Sequence, residues 1–283
     1  MVVFTPHLER MLRESDVIAA YPSLLREKLL HCGEPIRERN LHRCRSPACP
    51  TCRGLRGRAE GRRAVRFFAG AKNEQMALVT ICSGVVGDLA DFGEVNRKMA
   101  YDLRNCITAQ RRAWPARWGG VSVFGWPECD VIEIDALAVM PTGLHEYVTA
   151  ARPNWNYAGT AWSVHWHMIF DCGRVDWQEV RDVLSDQFDL PHQVDVQPFF
   201  AGRSINENIM TIARYAHAFK SGKEWNGITN WWPIGPTADY YTVLASNGWT
   251  GKRFMLKQKV DRIARNRNVD RKLYCDDPVL FLI

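Results

Sequence analysis

No part of this 283-residue sequence is both long and apolar enough to cross a bilayer. The widest interval without a formal charge lies between Arg152 and Asp171, and its Asn, Thr, Ser and His residues exclude a spanning helix. There is no internal repeat, which excludes solenoid and propeller arrays, and no low-complexity tract. An acidic residue stands early in the opening MVVFTPHLERMLRES, where a signal peptide would still be apolar. A cytoplasmic protein with no membrane partner is therefore expected. Charged residues at 24% and hydrophobic residues at 46% exclude wholesale disorder and permit a sizeable core without disulfides.

What the chain does have is unevenly placed. The net charge is +6, yet residues 1–66 carry 14 basic and 7 acidic side chains, and the excess lies almost wholly in 37–66. Residues 250–283 carry 9 basic and 4 acidic side chains, which leaves the middle net acidic. Basic ends around an acidic centre suit a polyanion gripped at its edges with a cation site between them. Two solvated basic helices are the plainer account.

The cysteines divide in the same way. Cys82, Cys106, Cys129, Cys172 and Cys275 are dispersed and read as small buried apolar residues. Cys32, Cys44, Cys49 and Cys52 cluster as C-x11-C-x4-C-x2-C, with His31 and His42 as substitutes. A Cys-x2-Cys pair on a Pro-bearing turn lets two thiolates converge, which predicts structural Zn2+. Such a centre would order a basic segment too short to bury a core of its own.

Hydrophobic periodicity predicts amphipathic helices over 7–30, 54–68, 92–113, 176–188 and 204–220, and a basic helix over 252–268. Strands are predicted at 76–82, 121–124, 131–139 and 162–170. The pattern is α+β: a helical, Cys-rich segment over 1–65, a sheet domain over 66–225 and a basic helical extension over 226–283.

The chemistry concentrates on two strands and a helix. In Trp162-Ser-Val-His165-Trp-His167-Met-Ile-Phe170, strand alternation puts Val164, Trp166, Met168 and Phe170 on one apolar face. His165 and His167 share the other face, as a metal-binding pair or as two unrelated surface histidines. In Val131-Ile-Glu133-Ile-Asp135, Glu133 is the carboxylate expected to complete the site, with Glu128 of GWPECD in reserve. Two imidazoles and one carboxylate suit a Mn2+ or Mg2+ ion that polarises phosphate. Ser204-Ile-Asn-Glu207 is a capping box that opens a helix, on which Tyr215 falls at the shoulder of the apolar stripe. Helix geometry leaves Tyr215 either a half-buried packing residue or a nucleophile for phosphorus.

RCRSPACPTC, LVTI, the FGW…IEID segment, HWHMIFD and RYAHAFKSGK follow one another in this sequence. In that order they resemble the rolling-circle replication initiators of small plasmids. These belong to the HUH endonucleases, where U is a bulky hydrophobic residue, and the resemblance spans roughly residues 32–223. It implies an antiparallel sheet of about five strands with packed helices. It further implies a His-His-carboxylate ion site and a tyrosine that nicks single-stranded or hairpin origin DNA, keeping the 5′-phosphate and freeing a 3′-OH. A host helicase and polymerase are the partners such a reaction implies.

On this resemblance His165 and His167 are the paired histidines, Trp166 is the residue between them, Glu133 is the carboxylate and Tyr215 is the nucleophile. Three positions depart from the family pattern. Ser163 stands where another histidine often precedes the pair. Thr211 replaces a water-activating Glu found in some relatives. Ala218 stands where a lysine usually follows the tyrosine, and Lys220 is the nearest lysine, on the other flank of a continued helical wheel. Arg53, Arg56, Arg58, Arg62 and Arg63 are expected to hold the DNA backbone, and Trp155, Trp162, Trp231 and Trp232 to stack on bases. An insertion-sequence transposase with the same chemistry is one alternative, and a non-catalytic zinc-bearing DNA-binding regulator is another.

Overall fold

The computed structural model describes residues 16–20, 23–37, 40–133, 140–152, 159–218, 220, 222–225, 228–246 and 253–257. A short helix α1 (Ser23–Leu30) and a small hairpin, β1 (Pro35–Arg37) with β2 (Asn40–Leu41), lead into helix α2 (Pro50–Phe67). Strand β3 (Met76–Val86) and helix α3 (Phe92–Ala113) follow. Next come β4 (Ser122–Ile132), α4 (Thr142–Ala151), β5 (Ala161–Asp171), α5 (Trp177–Gln187), β6 (Val194–Pro198) and α6 (Ile205–Ala216). A second hairpin, β7 (Gly222–Trp225) with β8 (Ile228–Trp231), precedes α7 (Ile234–Ser246) and β9 (Phe254–Leu256).

The architecture is α+β. Five strands form an antiparallel sheet in the order β6-β3-β5-β4-β9, so β5 with its two histidines is the central strand. One sheet face presents Val79, Ile81, Val123, Trp166, Met168 and Phe170 to Leu103 and Ile107 of α3 and Val180 and Leu184 of α5. Phe124, Trp126 and Ile169 point the other way, against Ala64 of α2 and Ile209, Ala213 and Ala216 of α6. Each large apolar side chain buried in this way contributes about 1.5–3 kcal/mol. Both faces are covered over much of the sheet, so the polar groups left between them stand out. Among the described residues no helix is long and apolar enough to cross a membrane.

Three expectations change. The strand predicted at 121–124 and the start of the one predicted at 131–139 are one strand over Ser122–Ile132, paired with β5 without a register break through Pro127, while 134–139 lie outside the described residues. Beyond Gly125 no described strand lies on the outer side of β4, and an edge of this kind accommodates proline. The predicted basic helix at 252–268 begins instead with strand β9, paired to β4; its remainder past 257 lies outside the described residues. The helix predicted to run to 220 stops at Ala216, where the His217 imidazole takes up the Ala213 carbonyl at 2.9 Å.

Candidate metal centres and nucleophile

Register decides which carboxylate meets the histidines. Glu128 pairs with His165 and Trp126 with His167, and on the other side of β5 Thr80 pairs with His167 and Cys82 with His165. Glu128 Oε2 lies 3.0 Å from His167 Nε2 and 3.5 Å from His165 Nε2. Three ligand atoms, one each from Glu128, His165 and His167, lie within 4.8 Å of one another, and all three residues are buried. Glu133 is not among them. It lies five positions along from Glu128, past the last β4–β5 pair, and an odd spacing reverses the face in an extended chain. The reserve residue supplies the carboxylate. Asp135 lies outside the described residues.

Neighbours orient both rings. His165 Nδ1 lies 3.2 Å from the Ser163 carbonyl, an acceptor only, so the ring proton belongs on Nδ1 and the Nε2 lone pair faces Glu128. His167 Nδ1 lies 3.2 Å from Thr80 Oγ1, which also directs its Nε2 inward. Both Glu128 oxygens and His167 Nε2 are buried without a properly directed hydrogen bond. Lone pairs that face one another in the interior are a group that could hold a metal ion. Burial alone would raise the Glu128 carboxyl, but the Lys220 ammonium and the two imidazoles hold it well below the usual carboxylate range. Burial lowers His167, which favours the neutral ring that ligation needs.

Lys220 and Tyr215 close the site. Because α6 ends at Ala216, the helical wheel does not extend to Lys220, and the chain turns back. Lys220 Nζ reaches Glu128 at 2.9 Å and Asp130 at 3.3 Å, and lies 4.7 Å from the Tyr215 ring centroid. Burial pulls its ammonium down, but Asp130 and Glu128 more than reverse this and raise it above its ordinary value. The Tyr215 ring is 5.1 Å from that of His167 and remains 50% exposed, so a substrate can reach the phenol. Asp130 is the residue that sequence reasoning missed. Strand alternation from Glu128 would have found it.

The second cluster brings the four predicted cysteines together. Cys32 Sγ and Cys44 Sγ each lie 3.6 Å from Cys52 Sγ, and Cys49 Sγ lies 3.5 Å from Cys32 Sγ. These approach the roughly 3.8 Å edges of a tetrahedral thiolate site with bonds of about 2.3 Å. Backbone N–H groups of Cys52 and Ser46 donate to Cys49 Sγ and Cys44 Sγ. A hydrogen bond from Cys44 is the main influence pulling the Cys49 thiol down, to about 5. Cys49 also caps α2, with Pro50 in the first turn, so the C-P-x-C run starts a helix and forms half of the cluster at once. His31 faces Glu34 at 2.8 Å instead, and neither His31 nor His42 belongs to the group.

The predicted DNA-contacting arginines separate. Arg53 is buried: its Nε donates to the His217 carbonyl at 3.0 Å and its guanidinium lies 5.3 Å from the Tyr241 ring centroid. The Tyr241 hydroxyl donates to the Lys220 carbonyl and accepts from the Lys220 N–H, both at 2.8 Å. Arg53 therefore serves the fold. Arg56 and Arg63 pair with Glu60, while Arg58 and Arg62 are exposed. Of the predicted stacking residues, Trp232 is buried in a core cluster and Trp162 packs against the same cluster. Trp155 and the side chain of Trp231 lie outside the described residues.

Comparison with protein-family models finds no match, and neither do searches of curated proteins and of solved structures.

Proposed function

We propose that this chain is a rolling-circle replication initiator of the HUH type, which nicks and rejoins single-stranded origin DNA through Tyr215. The observation that carries the reading is the exposed phenol beside a buried two-histidine, one-carboxylate cluster, with an ammonium over its ring. Glu128, His165 and His167 would hold Mn2+ or Mg2+, which when bound supplies positive charge to a phosphate oxygen. The Tyr215 oxygen, its proton lost to solvent, attacks phosphorus in line. The P–O3′ bond breaks, the 3′ oxygen takes up a proton, and the 5′-phosphate stays esterified to Tyr215. Attack of a 3′-OH on that ester reverses the step and rejoins a strand. Lys220 stands where it stabilises the phenolate and the charge that develops on the phosphate. The four cysteines would hold Zn2+ as a structural ion.

The test is an SDS-resistant protein–DNA adduct on single-stranded origin DNA in Mn2+ or Mg2+. Wild type forms it, Tyr215→Phe does not, and Glu128→Gln lowers its rate by at least about a hundredfold. Glu133→Gln leaves it unchanged. An adduct from Tyr215→Phe equal to that of wild type would refute the reading.

A further inference from the structure

The backbone at Lys220 is fixed while its side chain is shared. The Tyr241 hydroxyl accepts from the Lys220 N–H and donates to the Lys220 carbonyl, each at 2.8 Å. The side chain beyond is 13% exposed, and its ammonium lies between two carboxylates of β4. It donates to Asp130 Oδ1 at 3.3 Å with hydrogen-bond geometry. Glu128 Oε2 is closer, at 2.9 Å, yet neither Glu128 oxygen has a properly directed hydrogen bond. That contact is an ion pair through space and not a donor aimed at a lone pair.

Glu128 Oε2 is also the oxygen that faces both imidazoles, 3.0 Å from His167 Nε2 and 3.5 Å from His165 Nε2. An ion held by these three ligands and the Lys220 ammonium would draw on the same carboxylate charge. Like charges brought together away from water repel, so ion binding weakens the hold of Glu128 on the ammonium. Asp130 offers another hold. It projects from the same face of β4 as Glu128, opposite Ser163, about 7 Å along the strand and on the side away from His167. Lys220 already reaches both carboxylates, so its ammonium can change its main partner while Tyr241 keeps the backbone still. The nearby Tyr215 ring, with its centroid 4.7 Å from Nζ, then keeps its cation.

We propose that Lys220 is a built-in competitor of the divalent ion at Glu128, and that Asp130 is the positioning residue that takes the ammonium over when the ion binds. The inference rests on the metal reading above and is tested without DNA. Mn2+ alone is titrated into the full chain as purified, and free Mn2+ is read by electron paramagnetic resonance. Wild type should bind it at a site that His167→Ala removes. Lys220→Gln should bind Mn2+ about fivefold or more tighter, because the competing charge is gone. A gain in affinity cannot come from a variant that misfolds. Asp130→Asn should bind it about fivefold or more weaker, because the ammonium is left with Glu128. Fixed charges act additively, and would make the Asp130→Asn loss the same with and without Lys220. A handover makes that loss about threefold or more smaller in the Lys220→Gln background. Equal losses in the two backgrounds would overturn the proposal, as would Lys220→Gln binding no tighter than wild type; either result leaves the metal site standing if His167→Ala still removes it. Mn2+ binding that survives His167→Ala in full would overturn the metal reading, and the proposal with it.

Discussion

His217 follows the proposed nucleophile by two residues and is buried against Trp126, with ring centroids 5.6 Å apart. Burial lowers its imidazole from 6.5 to about 4. Above 6.5 both folded and unfolded chains carry the neutral ring, and the group is silent. As pH falls below 6.5 the unfolded chain takes up the proton first, so stability is lost until pH 4, where the folded ring also protonates. Between pH 7.5 and 5 this single group should cost about 2 kcal/mol. Urea titrations at the two pH values should show His217→Gln losing less stability than wild type by roughly that difference; equal losses would show that the ring is not held neutral. At this scale the sequence was partly readable. Periodicity left Tyr215 between packing and chemistry, and the resemblance singled it out. His165 and His167 could be placed on one strand face from alternation, which depends only on neighbours in the chain. The carboxylate could not, because Glu128 and Glu133 differ only by a pairing register set on another strand.

The helix that carries Tyr215 lies close to α2 because α2 offers two glycines one turn apart. A Cβ at Gly57 would stand 3.2 Å from His217 Cβ and 3.4 Å from the Ala213 carbonyl; one at Gly61 would stand 2.5 Å from Met210 Sδ. The methionine can move aside, but the backbone at Ala213 cannot. Gly57→Leu should therefore push α6 outward, cost about 1–3 kcal/mol and lower the adduct rate more than the amount of folded protein. Circular dichroism melting beside adduct assays on the folded fraction checks this, and a fully active folded fraction would refute it. Helices over 92–113 and 177–187 were legible because their apolar stripes are regular and, for the second, because Asp176 caps its start. The end of α6 was not, because Arg53 and the His217 side chain satisfy carbonyls that would otherwise favour another turn. The single strand β4 was hidden by Gly125 and Pro127, residues that punctuate most strands.

Across the whole molecule the basic N-terminal segment is not an appendage. Helix α2 begins at the four-thiol cluster and continues onto the sheet, where it packs against α6. Cys49 and Cys52 share a core cluster with Val164 of β5 and Tyr241 of α7. Purified protein should retain about one equivalent of zinc through dialysis, and Cys49→Ser should lose it and melt at a lower temperature. Unchanged zinc in the variant, read by atomic absorption, would refute the ligand assignment. The α+β class and the cysteine group were visible from composition and spacing alone, whereas Arg253 joins Glu60 only across a sequence separation of 193. Arg53 follows Cys52 directly in the chain and grips the carbonyl two residues beyond Tyr215. Oxidants that knit those sulfurs into disulfides would therefore disturb Arg53 and, through it, the chain that carries the phenol.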